Sequence, residues 1–214
     1  SCKYSDITVF SFHPVKIITT GEGGMAITNN KVLHTIMTKL RTHGISNKKN
    51  DMLKMPENEI WNYQQLLLGF NYRMNDIEAA LGSSQLKKID NFLLKRNKIA
   101  SLYEENFISL PIKTQFVNHN LKSSYHLYVI RINTQNTKIS QRKIFKNLID
   151  HGVGVNLHYI PIYLHPFYKD LGFQRGYCPE AEKYFEEAVS LPIYPKLNKS
   201  DQKKVIKILK DTFI

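Results

Sequence analysis

The chain has few cysteines, no long apolar run and no recognisable leader, and each shortage excludes a class of protein. Its 214 residues include only two cysteines, Cys2 and Cys178, which give neither a disulfide framework nor a zinc pattern. No apolar run approaches the length that spans a bilayer, and no secretory signal pattern opens the chain. We therefore expect a core-forming protein of the reducing cytoplasm, with no metal site and no membrane partner.

Acidic residues are also scarce, since 18 aspartates and glutamates face 30 lysines and arginines, a formal net charge of +12. Such an excess is compatible with a nucleic-acid or acidic partner. The basic residues are scattered, however, and short pairs such as Lys48-Lys49 and Lys203-Lys204 form no stripe interleaved with aromatic residues. Lysine-rich solvated faces are the favoured interpretation, so no nucleic-acid partner is expected. A preference for phosphate-bearing small molecules is a second interpretation of the charge. A third is a nucleic-acid-binding module, which salt-dependent DNA binding would support.

Lys16 stands between an extended apolar segment and a glycine-rich turn. Residues 6–12 are β-branched and aromatic, which predicts a strand; residues 21–24 predict a turn, and residues 25–28 a returning strand. A lone lysine is usually a solvated surface charge. This frame instead places Lys16 at the edge of a buried sheet, where a partly desolvated amine becomes a nucleophile. Lysine–carbonyl chemistry is therefore the first hypothesis.

Two further segments carry chemistry-bearing side chains. Asn71 and Arg73 directly precede a predicted helix, whose positive end suits an anion, although a cap with a surface arginine explains them equally well. The run His158, Tyr159, Ile160 and Pro161 ends a predicted strand, where it lines a ligand mouth or equally well packs under the adjacent helix. The spacing of His158 and His165 is too loose to argue for a metal.

The rest of the chain alternates helix and strand signals, which predicts a small second domain of the α+β class within an α/β protein. We expect a first domain over residues 1–88 and a second over residues 89–214. Asn75 with Glu78 has the pattern of a capping box. The predicted helices are 31–41, 75–107 with a break near 87–90, 140–150, 179–190 and a last one capped by Ser200; the predicted later strands are 125–132 and 153–159, and residues 42–60 are a predicted loop.

Four runs of sequence carry a family resemblance. They are Ser-Phe-His-Pro-Val-Lys at residues 11–16 followed by Thr-Gly-Glu-Gly-Gly at 20–24, Leu-Arg-Thr-His-Gly at 40–44, Gly-Phe-Asn-Tyr-Arg-Met-Asn-Asp-Ile-Glu-Ala-Ala-Leu-Gly at 69–82, and Ser-Leu-Pro at 190–192 with Tyr-Pro at 194–195. In this order they resemble the DegT/DnrJ/EryC1/StrS sugar aminotransferases. The resemblance implies the type I aminotransferase fold and the cofactor pyridoxal 5'-phosphate (PLP).

The resemblance also implies roles for the candidate residues. Lys16 would bind PLP covalently, and Ser11 would contact the cofactor phosphate or the substrate beside it. Asn71 would reach the cofactor of the neighbouring subunit in a homodimer with a shared active site, and Arg73 would handle anionic groups there. The substrate-binding set implied in this way is Ser11, His13, Asn71, Arg73, His158, Tyr159, Ile160 and Pro161.

Within the family, residues 13–16 and 158–163 are most similar to transaminases of pseudaminic acid biosynthesis. Those enzymes aminate C4 of a UDP-linked 4-keto-6-deoxy-N-acetylhexosamine, with glutamate as amino donor. In this family the groups that bind the cofactor ring lie upstream of the lysine. We therefore expect an incomplete large domain with a complete small domain, and a chain that is inactive alone. A non-catalytic regulatory subunit of the same fold, or another nucleotide-sugar aminotransferase, remains the alternative.

Overall fold

The computed structural model describes residues 2–54 and 60–214, which fall into two compact units, Ser1–Ile89 and Asp90–Ile214. Ser1 and residues 55–59 of the predicted loop lie outside the described residues. Each unit has its own secondary structure. The elements of the first are β1 (Thr8–Ser11), β2 (Gly24–Ile27), α1 (Lys31–Arg41), β3 (Ile45–Ser46), β4 (Gln64–Gln65) and α2 (Asp76–Leu86).

The first unit contains the predicted hairpin around Lys16. Strands β1 and β2 pair antiparallel, with Thr8 opposite Ile27 and Ser11 opposite Gly24. Their large side chains are uncovered on both faces, because the neighbours Val9 and Phe10 are 74% and 42% exposed. Adjacent apolar residues on opposite faces are typical of a strand that is covered on both sides. This hairpin therefore presents surface of the kind that folded proteins bury.

Side-chain caps begin the helices of the first unit, and the sequence predicts the cap at Asn75. The side chain of Asn30 accepts hydrogen bonds from the first amides of α1. At α2, Asn75 accepts from the Glu78 amide at 2.9 Å, and the Glu78 carboxylate accepts from the Asn75 amide at 3.1 Å. This reciprocal pair satisfies two amides that the helix cannot use. The predicted break after α2 is confirmed, since the next helix begins at Ile89.

The second unit packs helices on a three-stranded antiparallel sheet, in the order β5-β6-β7. Ile130 on β6 lies opposite Val189 on β7, and Tyr128 opposite Leu191, so these four side chains share the buried face. The elements are α3 (Ile89–Phe107), β5 (Ile112–Lys113), β6 (Tyr128–Ile132), α4 (Gln141–Asp150), a 3-10 turn (Ile162–Leu164), α5 (Pro166–Asp170), α6 (Pro179–Glu187), β7 (Ala188–Leu191) and α7 (Lys199–Thr212).

The hydrophobic core of the described residues belongs entirely to this second unit. Its buried apolar side chains run from Ile99 on α3 to Leu209 on α7. One cation lies among them: Arg96 is 5% exposed and donates to the carbonyls of Tyr125 and Ile193 at 2.9 and 3.0 Å. Burial lowers the pKa of its guanidinium. Arg96 thereby ties α3 to the two segments that flank the sheet.

Three predictions for the second unit are wrong. The helix predicted over 179–190 ends at Glu187, because residues 188–191 pair with β6 instead. The strand predicted over 153–159 is reduced to an isolated bridge between Asn156 and Ser190. The last helix is capped by Asn198, whose side chain accepts from the Asp201 amide at 2.8 Å, and not by Ser200.

Candidate functional site

Lys16 lies in the loop that joins β1 to β2, and the neck of this loop is closed at Phe12. The Phe12 amide donates to the Gly23 carbonyl at 2.9 Å, and the Phe12 carbonyl accepts from the Thr20 amide at 3.0 Å. Inside the loop, the Lys16 amide donates to the His13 carbonyl at 2.9 Å, which makes a tight turn. The backbone of Lys16 is therefore fixed, while its side chain remains partly accessible.

The same loop packs against the start of α2. Thr20 is 3% exposed, and a β-carbon on Gly82 of α2 would lie 2.6 Å from the Thr20 methyl group. A β-carbon on Gly23 would lie 2.7 Å from the terminal methyl of Met74, the residue that follows Arg73. Both glycines permit this close approach. The structure thus brings the Lys16 loop against the segment that carries the family motif at residues 69–82.

Ser11 and His13 flank the neck of the loop, and both are exposed. Ser11 is the last residue of β1, and its Oγ lies at the long distance of 3.5 Å from the His13 amide. Nε2 of His13 lies 3.8 Å from a carboxylate oxygen of Glu22, with both side chains at least half exposed, which makes a weak pair. Ser11 is therefore exposed at the end of the strand that leads into the Lys16 loop.

Asn71 and Arg73 lie beside the Leu-Arg-Thr-His-Gly run, so two of the sequence motifs are joined. Asn71 forms an antiparallel bridge with Thr42. The His43 amide donates to the Phe70 carbonyl at 2.8 Å, and the Tyr72 amide donates to the Arg41 carbonyl at 3.0 Å. This pairing fixes the backbone of Asn71 and leaves its side chain and that of Arg73 exposed.

The third candidate segment belongs to the second unit. Nδ1 of His158 lies 2.8 Å from Oγ of Ser190, and burial lowers the pKa of the imidazole. The His158 and Tyr159 rings meet edge to face at 4.8 Å. Tyr159 and Ile160 are 70% and 43% exposed, whereas Pro161 is buried. His158 is thus a neutral, anchored side chain beside two apolar side chains that remain open to contact.

Sequence reasoning missed the residue that anchors this segment. Ser190 lies in β7 and is 6% exposed. The alternation of Val189, Ser190 and Leu191 is a strand signal. The helical spacing of the residues before them predicts a helix as far as residue 190 and hides that signal. The candidate residues therefore form two groups: Ser11, His13, Lys16, Asn71 and Arg73 in the first unit, and His158 to Pro161 in the second.

Two absences hold within residues 2–54 and 60–214. No helix there is both long enough and apolar enough to cross a membrane. No cluster of three or more histidine, cysteine, aspartate or glutamate side chains has the arrangement of a metal site.

The chemistry of the Lys16 loop fits a PLP site. A primary amine on the closed loop and a hydroxyl at the end of the strand before it match an aldehyde and a phosphate, the two groups by which PLP is held. These residues make up one part of such a site.

Comparisons with known proteins agree with this fit. Residues 1–210 match the model of the DegT/DnrJ/EryC1/StrS aminotransferase family. The chain is 36% identical over 204 residues to a UDP-4-amino-4,6-dideoxy-N-acetyl-beta-L-altrosamine transaminase of Campylobacter jejuni, covering 95% of this chain and 51% of that protein. The chain thus spans about half the length of the curated relatives it matches.

Solved structures show the same fold. The aminotransferase PseC of Helicobacter pylori, involved in pseudaminic acid biosynthesis, superimposes with a TM-score of 0.84 at 32% identity, over 98% of this chain and 54% of its own. A proposed sugar aminotransferase of Streptococcus pneumoniae in its PLP form superimposes with a TM-score of 0.85 at 30% identity, over 99% of this chain and 53% of its own. The predicted type I aminotransferase fold is confirmed, and PLP is the cofactor of the family. The chain belongs to the DegT/DnrJ/EryC1/StrS aminotransferase family.

Proposed function

We propose that the protein is a PLP-dependent nucleotide-sugar aminotransferase of surface polysaccharide or pseudaminic acid biosynthesis. It transfers an amino group from glutamate to C4 of a UDP-linked 4-keto-6-deoxy-N-acetylhexosamine. The observation that carries the proposal is the closed loop that fixes the backbone of Lys16, leaves this residue partly exposed and directly follows the strand that ends at the exposed Ser11. The relatives named as altrosamine transaminases support the choice of sugar.

Lys16 performs two tasks in this proposal. Its Nζ would hold the cofactor covalently, and the freed Nζ would act as the base that moves a proton at the substrate carbon. PLP, when bound, supplies the electron sink of the reaction. Ser11 holds an oxygen of the cofactor phosphate. Because the keto product of the amino donor leaves before the sugar binds at the same site, ping-pong kinetics are expected.

Asn71 and Arg73 serve a neighbouring subunit in the proposed homodimer. The backbone of Asn71 is held by its bridge to Thr42, yet its side chain is exposed. The rings on either side of it, Phe70 and Tyr72, stack at 4.8 Å and are 52% and 72% exposed. Two stacked and exposed aromatic rings, next to a polar residue whose backbone is held, suit an interface between subunits. His158 to Pro161 contact the nucleotide-sugar.

The remaining features concern the setting of the enzyme. Both Cys2 and Cys178 are free thiols, which supports the cytoplasm as its location. The hairpin with its uncovered apolar faces supports an incomplete large domain, and we predict no turnover by residues 1–214 alone.

Transamination by the full-length protein that contains this chain tests the proposal. It should convert the UDP-linked 4-keto sugar in the presence of glutamate, and both Lys16→Ala and Asn71→Ala should be inactive. A mixture of these two variants should regain activity, because a mixed dimer assembles one site from an intact Lys16 and an intact Asn71. Activity of Lys16→Ala, or turnover by residues 1–214 alone, would contradict the proposal.

A further inference from the structure

A single buried residue fixes both the ring of His158 and the chain that leads to it. Oγ of Ser190 lies 2.8 Å from Nδ1 of His158. The Ser190 backbone pairs with Val129 on one side and with Asn156 on the other. On that second side, the Ser190 amide donates to the Asn156 carbonyl at 2.8 Å and the Asn156 amide donates back at 3.3 Å. His158 follows Asn156 by two residues, so its ring and its backbone share one anchor.

The burial of the hydroxyl decides which atom donates. Ser190 is 6% exposed, and a buried hydroxyl needs a hydrogen-bond partner. Among the described residues, the imidazole of His158 is the one partner of this hydroxyl. The hydroxyl hydrogen therefore points at Nδ1, and a neutral imidazole that accepts at Nδ1 carries its proton on Nε2. Burial lowers the pKa of His158, which keeps the ring neutral.

We propose that Ser190 is a positioning residue: its hydroxyl donates to Nδ1 of His158 and presents Nε2–H as a fixed donor to a phosphate or carbonyl oxygen of the nucleotide-sugar. A serine in this place selects one of the two tautomers, so the ring meets the ligand as a donor only. The contact with a nucleotide-sugar rests on the proposed function, whereas the tautomer does not.

Nitrogen NMR of the chain labelled with ¹⁵N-histidine tests the tautomer directly. A ring nitrogen that carries hydrogen resonates far from a bare one, and a His158→Gln variant identifies which signals belong to this residue among the eight histidines. The expected result is a proton on Nε2. In Ser190→Ala the two signals should move towards each other as the tautomers mix, and Ser190→Thr, which keeps the hydroxyl, should restore the separation.

A matched control removes a different buried hydroxyl from the same unit. Thr212 on α7 is 7% exposed; its hydroxyl accepts from the side-chain Nδ2 of Asn147 at 2.6 Å and donates to the Ile208 carbonyl at 2.7 Å. Thr212→Val should leave the His158 signals unchanged. A proton on Nδ1 in the unsubstituted chain would overturn the inference even if no Ser190 variant folds. Unchanged signals in a folded Ser190→Ala would overturn it as well.

Kinetics of the full-length protein test the contact with the ligand. Ser190→Ala should raise the KM for the nucleotide-sugar about three- to tenfold, the range of one neutral hydrogen bond, with kcat changed less. An unchanged KM would overturn the ligand role of the anchored ring. Failure of the proposed function looks different: the tautomer is as predicted, but the full-length protein does not transaminate.

Discussion

Gly69 lies directly against the backbone of Gly44, so closely that a β-carbon on Gly69 would overlap the Gly44 amide nitrogen and the carbonyl carbon of His43. Gly44 itself adopts a positive φ of 71°, and a β-carbon there would overlap the Leu67 carbonyl. Gly44 ends the motif at residues 40–44 and Gly69 begins the motif at residues 69–82, and the Thr42–Asn71 bridge joins these two motifs. The placement of Asn71 and Arg73 therefore depends on two residues without side chains.

Gly69→Ala should destabilise the protein by about 2 kcal/mol, because the added methyl group meets backbone atoms that cannot rotate away. The measurement is the free energy of unfolding in urea. Gly154→Ala is the control, since a β-carbon there meets no atom within 4 Å. Equal stability of the two variants would show that the two motifs do not pack as described.

Two tyrosines of the core should respond in opposite directions to loss of the hydroxyl. Tyr103 and Tyr128 are both fully buried, and burial raises the pKa of both phenols. The Tyr103 hydroxyl donates to the Pro192 carbonyl at 3.0 Å, whereas the Tyr128 hydroxyl has no hydrogen-bond partner among the described residues. Tyr103→Phe should therefore cost about 1 kcal/mol, and Tyr128→Phe should stabilise by roughly 1 kcal/mol.

Chemical denaturation of the two variants checks this pair, and each serves as the control for the other because the two changes remove the same atom. A loss of stability in Tyr128→Phe would mean that its hydroxyl has a partner after all.

Local signals in the sequence predicted much of this structure. The capping box of Asn75 with Glu78 is found as predicted, and the helix predicted over 140–150 begins at Gln141 with Ser140 as its cap, because a cap is made by residues within one turn. The predicted cap at Ser200 is wrong because Asn198, two residues earlier, also has a capping side chain. That side chain accepts from the amide of Asp201, three residues after it.

The misassigned segments depend on partners far along the chain. Residues 188–191 become a strand because β6, about sixty residues upstream, offers an edge, and no local pattern separates a short apolar run in a strand from one in a helix. The contact of His158 with Ser190 follows from the same pairing. By contrast, the loop around Lys16 closes on itself through Phe12, and for that reason its frame could be read from sequence.

The stability of the second unit should fall on acidification, with His158 contributing to the loss. Burial holds the pKa of its imidazole below the ordinary value of about 6.5. As the pH falls through that value, His158 is protonated in the unfolded chain but not yet in the folded chain, so the folded state loses stability. The contribution is fully present above the ordinary pKa and is lost towards the lower, folded pKa.

Thermal unfolding at pH 7.5 and pH 5 measures this effect, and His158→Gln should show a smaller drop than the unsubstituted chain. His119→Gln, at an exposed histidine, is the control and should keep the full drop. A drop of equal size in His158→Gln would place the acid-sensitive group elsewhere.

Borohydride reduction of the full-length protein loaded with PLP tests the central claim most directly, since it traps the covalent bond between lysine and cofactor. Mass spectrometry of the digested protein then identifies the modified residue. The account predicts that the reduced adduct is on Lys16, in the peptide that contains the sequence Phe12-His13-Pro14-Val15-Lys16. Lys16→Ala should give no adduct. An adduct on any other lysine, with Lys16 unmodified, would contradict it.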